Sequence, residues 1–405
     1  MAGKHRKRSE VRTTVAKRGG SGVAAAALSI TGLSTAVVTG TTAAVAPNVQ
    51  LMALVSAANS TSQFFAGSTY YGTDWKQVYG QQQDPQQIVV PFFRGPQGIA
   101  DIIDGADIGE GQTGVTASGW GAGQTGTALG ILAEDQNTDA LNSIGLVILD
   151  NNTNRAGGGF WTTYYPFAPL LFTSADPTPT NFPGAPDLTI LDVGYEYNIN
   201  GDAAVDPANP FALGNSLAAY AFGYGQESTA LNITQEVPGG PVMFQPAAEG
   251  SDPVELEPGT HYVVKDGNIV ATYPAGTAAS NPSTIYVTVQ ADNLPLTRLL
   301  RVVPGGDILA NAVDPTLTDL VNAGYNDGLG TTGNPAIPKD PTVPRPMKLF
   351  SSLSALDAGD LQDSAQAGAT AGATTAFADI ANPANFITKP IGEAAKLPVL
   401  SSLTN

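Results

Sequence analysis

The chain has 405 residues, a net charge of −17 and no cysteine, which excludes disulfides, thiol nucleophiles and thiolate metal sites. Residues 1–18 hold seven basic residues and one acidic residue, which leaves 11 basic and 34 acidic residues, a net charge of −23, in the remainder. A surface this acidic repels phosphate backbones and argues against nucleic acid as a partner.

The N-terminal segment reads as an export signal. A basic stretch ends at Lys17-Arg18, residues 22–46 carry no charge, and Ala44-Val45-Ala46 offers the small residues that a signal peptidase accepts. We therefore predict a signal peptide over residues 1–46 and a protein that is secreted or held in the cell envelope. The alternative is a basic tail followed by an amphipathic helix. No later stretch reaches the roughly 20 apolar residues of a membrane span.

Short apolar runs then alternate with turn-rich segments. Residues 87–93, 144–150 and 188–193 have the continuous apolar character of strands that are covered on both faces. Residues 125–132 read as a helix that packs through small side chains. This alternation predicts an α/β fold with a sheet flanked by helices.

A different pattern occupies residues 240–290. The runs 260–264, 268–273 and 284–289 predict a small antiparallel insertion, with Lys265-Asp266-Gly267 as the hairpin turn between the first two. Farther on, residues 331–346 predict a proline-rich linker.

Residues 347–405 are rich in alanine, glycine and serine, with a possible helix near residues 364–380. This low-complexity C-terminal tail has little core-forming content, so we expect partial disorder or packing only against a partner.

A glycine-rich segment lies where an α/β-hydrolase carries its nucleophile. Such enzymes place a serine in Gly-x-Ser-x-Gly, on a tight turn between a strand and a helix. Residues 115–124 read Val-Thr-Ala-Ser-Gly-Trp-Gly-Ala-Gly-Gln, with glycines at Gly119 and Gly123 and Gly121 at the expected serine position. A glycine has no side chain with which to attack a carbonyl carbon.

Several motifs around this segment resemble the PE-PPE domain, a cutinase-like serine hydrolase family of mycobacteria and their relatives. The most specific are Asn293-Leu294-Pro295-Leu296 and residues 314–325, which resemble the family's closing Leu-Pro-Leu-Leu and Asp-Pro-x-Leu-x-x-Leu-Val-x-x-Gly-Tyr motifs. Earlier stretches with family-like motifs are residues 107–111, 150–159, 197–202 and 209–215. The resemblance covers residues 60–330 in the family's order and implies an α/β-hydrolase-like fold.

The family implies a Ser-Asp-His triad that acts on ester or acyl substrates, and this chain matches it poorly. Gly121 stands at the serine, Asn198 replaces the first acid of the family's Tyr-Asp segment, and Asp202 retains the second. Residues 221–226 lack the expected histidine, which leaves His261 as the only histidine after the predicted signal peptide. We therefore expect no catalytic residues. Ser118, Asp202 and His261 remain weak candidates for a rearranged set.

Two other segments carry side chains typical of ligand sites. Residues 198–206 alternate Asn and Asp oxygens around a glycine, as calcium ligands do, but a polar turn explains them better. Trp120, Phe160, Trp161 and Tyr164, with Tyr165 beside them, are predicted to line a lipid or glycolipid pocket near the glycine-rich turns. No cofactor and no metal are expected.

The sequence thus favours an exported, catalytically silent PE-PPE-type domain of the cell envelope that binds a lipid, a glycolipid or another protein. One alternative is an active serine esterase with a rearranged triad. The other is a structural or assembly protein whose tail makes the contacts.

Overall fold

A computed structural model describes residues 53–57, 69–79, 87–105, 112–171, 173–223, 230–275, 282–325, 340–350, 356, 358–395 and 397. All of them lie in one compact unit, Val49–Asn405. The predicted signal peptide, residues 1–46, lies outside the described residues.

Thirteen strands occur in this part of the chain. They are β1 (Ala53–Ala57), β2 (Thr69–Tyr70), β3 (Thr73–Asp74), β4 (Gln87–Val90), β5 (Thr113–Ser118), β6 (Ile144–Asp150), β7 (Thr189–Tyr195), β8 (Ile233–Thr234), β9 (Val242–Phe244), β10 (Val254–Leu256), β11 (Thr260–Lys265), β12 (Asn268–Pro274) and β13 (Thr284–Val289).

Ten α-helices accompany them. They are α1 (Trp75–Tyr79), α2 (Gly95–Asp104), α3 (Trp120–Glu134), α4 (Thr138–Asn142), α5 (Phe160–Thr163), α6 (Pro210–Gly223), α7 (Arg298–Arg301), α8 (Gly306–Ala323), α9 (Ala358–Ala381) and α10 (Asn385–Ala395). Three 3₁₀ helices cover Phe92–Arg94, Tyr165–Leu171 and Pro295–Thr297.

An eight-stranded sheet organises the unit, in the order β4-β1-β5-β6-β7-β13-β11-β12. All neighbours pair in parallel except β11 and the edge strand β12. Alternate residues of β6 enter two different cores, with Leu146 and Ile148 on one face and Val147 and Leu149 on the other. Because both faces are covered, the strand is a continuous apolar run. The predicted α/β fold is confirmed.

The three runs at residues 260–264, 268–273 and 284–289 do not form a separate antiparallel insertion, as the sequence predicted they would. The hairpin of β11 and β12 is present, but β13 pairs in parallel with both β7 and β11 inside the main sheet. A small antiparallel sheet does exist, formed instead by the shorter strands β8, β9 and β10. An apolar six-residue run has the same pattern in either arrangement, so its partners cannot be read from it.

The C-terminal helices pack against the same unit, which differs from the expectation for the tail. Helix α9 contains the predicted helix 364–380 and lies against α8 at Gly368 and Gly372, where any side chain would overlap α8. Asn311 of α8 donates a hydrogen bond to Thr375 of α9 at 2.7 Å. Small side chains lack bulk for a core of their own, but they let two helix backbones approach closely.

Candidate functional site

A one-residue turn joins β5 to α3, and that residue is Gly119. Its φ of 56° and ψ of −121° fall in a region that residues with side chains rarely adopt. Hydrolases of the α/β type present their nucleophile on a strained strand-to-helix turn of this kind. The side chain that would carry the reaction is absent here.

The position of this turn differs from the sequence prediction by two residues. Gly121, which the motif placed at the nucleophile, lies buried in the first turn of α3, because β5 ends at Ser118 and the helix begins at Trp120. Gly123 is also buried in α3, where a side chain would overlap Thr153. The residue at the strand-to-helix turn is therefore Gly119.

Ser118 lies one residue before the turn and is 1% exposed. Its hydroxyl donates to Asp150 Oδ2 at 2.8 Å, and the Tyr71 hydroxyl donates to Asp150 Oδ1 at 3.0 Å. Ser118 and Asp150 are also register partners of β5 and β6. Ser118 thus stabilises a buried carboxylate below the turn and is not presented to a substrate.

Asp202 has a cationic partner from far along the chain. Its Oδ1 lies 2.5 Å from Arg345 Nη2, and its Oδ2 accepts a hydrogen bond from the backbone N–H of Tyr197 at 2.9 Å. Asn198 Oδ1 accepts the N–H of Asn200 at 3.0 Å, so the segment is held by its own turn hydrogen bonds. Among the described residues, no group of three or more acidic or imidazole side chains is arranged for a metal ion.

His261 lies far from the turn. The register of the sheet pairs His261 on β11 with Tyr286 on β13, Tyr286 with Asp192 on β7, and Asp192 with Leu149 on β6. Leu149 in turn pairs with β5 near its end. Four strand spacings of about 4.8 Å separate His261 from β5, or about 19 Å. Burial and the nearby Arg155 lower the pKa of His261 to about 3, and its Nε2 lies 2.9 Å from Thr288 Oγ1. Direct or single-water proton transfer to the turn is excluded at this separation.

A buried charged network, which the sequence reasoning missed, crosses the centre of the sheet. We call Arg155, Asp192 and Asn152 the Arg155 network. Arg155 Nε lies 3.3 Å from Asp192 Oδ1, and Asn152 donates to Asp192 Oδ2 at 2.9 Å. Burial raises the pKa of Asp192, and the Arg155 guanidinium opposes that shift. The signal in the sequence was an acid inside the apolar run 188–193.

The four predicted pocket residues meet in one chain of ring contacts, together with Phe92. We call these five residues the aromatic ladder. Successive ring centroids lie 5.1 Å apart for Phe92–Trp120, 5.1 Å for Trp120–Trp161, 4.7 Å for Trp161–Phe160 and 4.9 Å for Phe160–Tyr164. Trp161 is 3% exposed, and its indole N–H has no acceptor among the described residues. Phe92, which lies two residues after the end of β4, was not among the predicted pocket residues.

Large apolar side chains lie exposed beside the ladder. Phe93 is 86% exposed, and the 3₁₀ helix Tyr165–Leu171 contributes four more such residues, of which Leu170 is 70% exposed. No charged residue occurs between Arg155 and Asp176. We call Phe93 and the exposed residues of 165–171 the apolar rim. Isolated exposed apolar residues are ordinary, but a group of five next to stacked rings marks a surface suited to an apolar ligand.

The fold and this turn together define an α/β-hydrolase-like domain with a glycine at the turn between β5 and α3. Residues 260–326 match the PE-PPE domain family, in agreement with the resemblance of the closing motifs at residues 293–296 and 314–325. A stretch of 96 residues is 34% identical to the uncharacterized PPE family protein PPE28 of Mycobacterium tuberculosis. The matched stretch is 23% of this chain and only 14% of PPE28. No solved structure matches.

The family match covers β11 to α8 and does not include the β5–α3 turn. The comparison therefore supports the closing motifs of the domain, while the assignment of the nucleophile position rests on the geometry of the turn. None of the described helices is long and apolar enough to cross a membrane.

Proposed function

We propose that this protein is a catalytically silent PE-PPE-type domain, exported to the cell envelope, that binds a lipid or glycolipid at the aromatic ladder. The observation that carries the proposal is the glycine at the strand-to-helix turn. Acyl transfer at such a turn needs an activated oxygen and a base within hydrogen-bond reach. The Ser118 hydroxyl is hydrogen-bonded to Asp150, and Asp202 forms an ion pair with Arg345. His261 lies about 19 Å from β5.

The ligand class follows from the surface beside the turn. The ladder and the apolar rim present aromatic and aliphatic side chains at the carboxyl edge of the parallel sheet, where α/β proteins usually bind ligands. An acyl chain matches this apolar, uncharged surface. The indole N–H of Trp161 is buried and has no acceptor among the described residues, so it could donate to an ester or hydroxyl oxygen only of a ligand that enters the ladder. The family relationship to PPE proteins supports an envelope location.

The catalytic half of the proposal is tested with a fluorophosphonate probe, which labels only activated serines. We expect no labelling of the purified protein, and the same result for Ser118→Ala. A label on Ser118 that disappears in Ser118→Ala would establish the esterase alternative instead.

The binding half is tested by titration with a brominated long-chain fatty acid, which quenches nearby tryptophans. Trp120 and Trp161 lie in the ladder, whereas Trp75, the third tryptophan, is buried in a separate core. We expect saturable quenching, weakened about tenfold in Phe93→Ser because a phenylalanine side chain contributes roughly 1.5–3 kcal/mol when buried.

Phe377→Ser on α9 is the matched control, because Phe377 is 73% exposed and belongs to the C-terminal helices. Equal weakening by both substitutions would place binding elsewhere. Mass spectrometry of copurifying lipids would then separate a lipid-binding protein from an assembly protein.

A further inference from the structure

Residues 340–350, which follow the segment that matches the family, lie across the carboxyl edge of the sheet, and we call them the strap. The predicted linker 331–346 overlaps this segment. Its residues 340–346 are part of the packed unit rather than a free spacer. Pro341 accepts the Gly157 N–H at 2.6 Å, the Met347 N–H donates to Thr163 at 2.9 Å, and the Lys348 N–H donates to Val205 at 2.8 Å.

Arg345 is the centre of the strap and is 2% exposed. Its Nη2 pairs with Asp202 at 2.5 Å and donates to the Gly157 carbonyl oxygen at 3.0 Å. Gly158, with a φ of 116°, lies against the guanidinium so closely that any side chain there would overlap it. The carboxylate, the carbonyl and the bare glycine together form a pocket shaped for a guanidinium group.

The same arginine is incompletely satisfied. Its Nε and Nη1 are buried and have no hydrogen-bond acceptor among the described residues. Leaving donors of a buried cation unpaired costs free energy. The seated strap is therefore held by a specific contact, yet less firmly than a fully paired bidentate arginine would hold it.

We infer that the strap is a releasable closure and that Arg345 is its latch, seated in a guanidinium-recognising pocket formed by Asp202, Gly157 and Gly158. With the strap seated, Asp202 is withheld from any other ligand, and the turn that leads into Phe160 and Trp161 is fixed. Release of the strap opens a polar cavity next to the aromatic ladder. This inference does not depend on the proposed lipid ligand.

Hydrogen exchange of the full chain, followed by mass spectrometry, tests the inference. In the wild-type protein, we expect peptides of 340–350 to exchange about tenfold or more faster than those of β6, because a releasable segment opens locally while the core opens only globally. In Arg345→Ala, the strap should exchange about tenfold faster again while β6 is unchanged. Methylguanidinium should reverse that increase.

Two comparisons make the result specific. Arg94→Ala removes an exposed arginine and should leave strap exchange unchanged, and tetramethylammonium should not replace methylguanidinium. If Arg345→Ala does not fold, Asp202→Asn provides the same loss of the ion pair with the shape retained. Strap exchange as slow as that of β6 in the wild type, or equal acceleration of β6 and the strap in the variants, would overturn the inference.

Discussion

Two regions of the sheet differ in which part of a reactive site they contain. At the β5–α3 turn, the backbone geometry of a nucleophile is present, but Gly119 supplies no functional group. In the Arg155 network, an arginine and an aspartate are paired but buried, with Arg155 and Asp192 at 3% and 2% exposure. Neither a strained strand-to-helix turn nor a buried ion pair is sufficient for catalysis. The turn lacks the reactive atom, and the charges hold the strands together.

The largest expected effect is in the Arg155 network. Arg155→Ala leaves Asp192 buried without its cation, so we expect the free energy of unfolding to fall by about 3–5 kcal/mol. Urea denaturation measures this loss. Arg94→Ala, at an exposed arginine, should change stability by less than about 0.5 kcal/mol. If Arg155→Ala lowers the free energy of unfolding no more than Arg94→Ala does, the Arg155 network does not stabilise the sheet.

Replacing both members of the Arg155–Asp192 ion pair separates the effect of an unpaired charge from the effect of losing the network. Arg155→Met combined with Asp192→Leu removes both charges, so it should recover part of the stability that Arg155→Ala loses, because apolar side chains need no counter-ion. If the double variant is as unstable as the single one, the network matters through its hydrogen bonds to Asn152 rather than through its charge.

A smaller effect is expected from pH, through His261. The folded pKa of about 3 lies below the unfolded value of 6.5, so the unfolded chain binds the proton more readily. Stability from this group is complete above pH 6.5 and is lost as the pH falls towards 3. Between pH 7 and pH 5 the loss should be about 2 kcal/mol.

His261→Gln isolates this contribution, because it retains a polar partner for Thr288 and does not titrate. Denaturation curves at the two pH values should differ less for the variant than for the wild type. Identical pH dependence would mean that the imidazole is not buried in its neutral form.

The smallest effect on stability is expected at the turn itself. Gly119→Ser supplies the missing hydroxyl at a strained backbone position, which should cost about 1 kcal/mol. It should produce no hydrolysis of p-nitrophenyl butyrate and no fluorophosphonate label, because His261, the histidine of the described residues, lies about 19 Å from the turn. Gly130→Ser, in α3 with ordinary space around it, is the control. A label on the serine introduced at position 119 would contradict the comparison.

Much of the scaffold was predictable because it depends on local pattern. The apolar runs at 144–150 and 188–193 became β6 and β7, and the hairpin at Lys265-Asp266-Gly267 formed as expected. Trp120, Phe160, Trp161 and Tyr164 were predicted to line one pocket because they lie near two glycine-rich turns, and the structure brings their rings into contact. That they bind a ligand stays a prediction.

The sequence alone was enough to predict a sheet of buried strands flanked by helices. That this chain lacks a working triad stays a prediction. Strand length, apolar continuity and residue identity are local properties, so one chain suffices to read them. Tertiary structure alone decided that Gly119 occupies the turn, that β13 joins the main sheet, and that Arg345 pairs with Asp202 across 143 residues. These outcomes depend on which distant segments are buried together, and no local pattern encodes that choice.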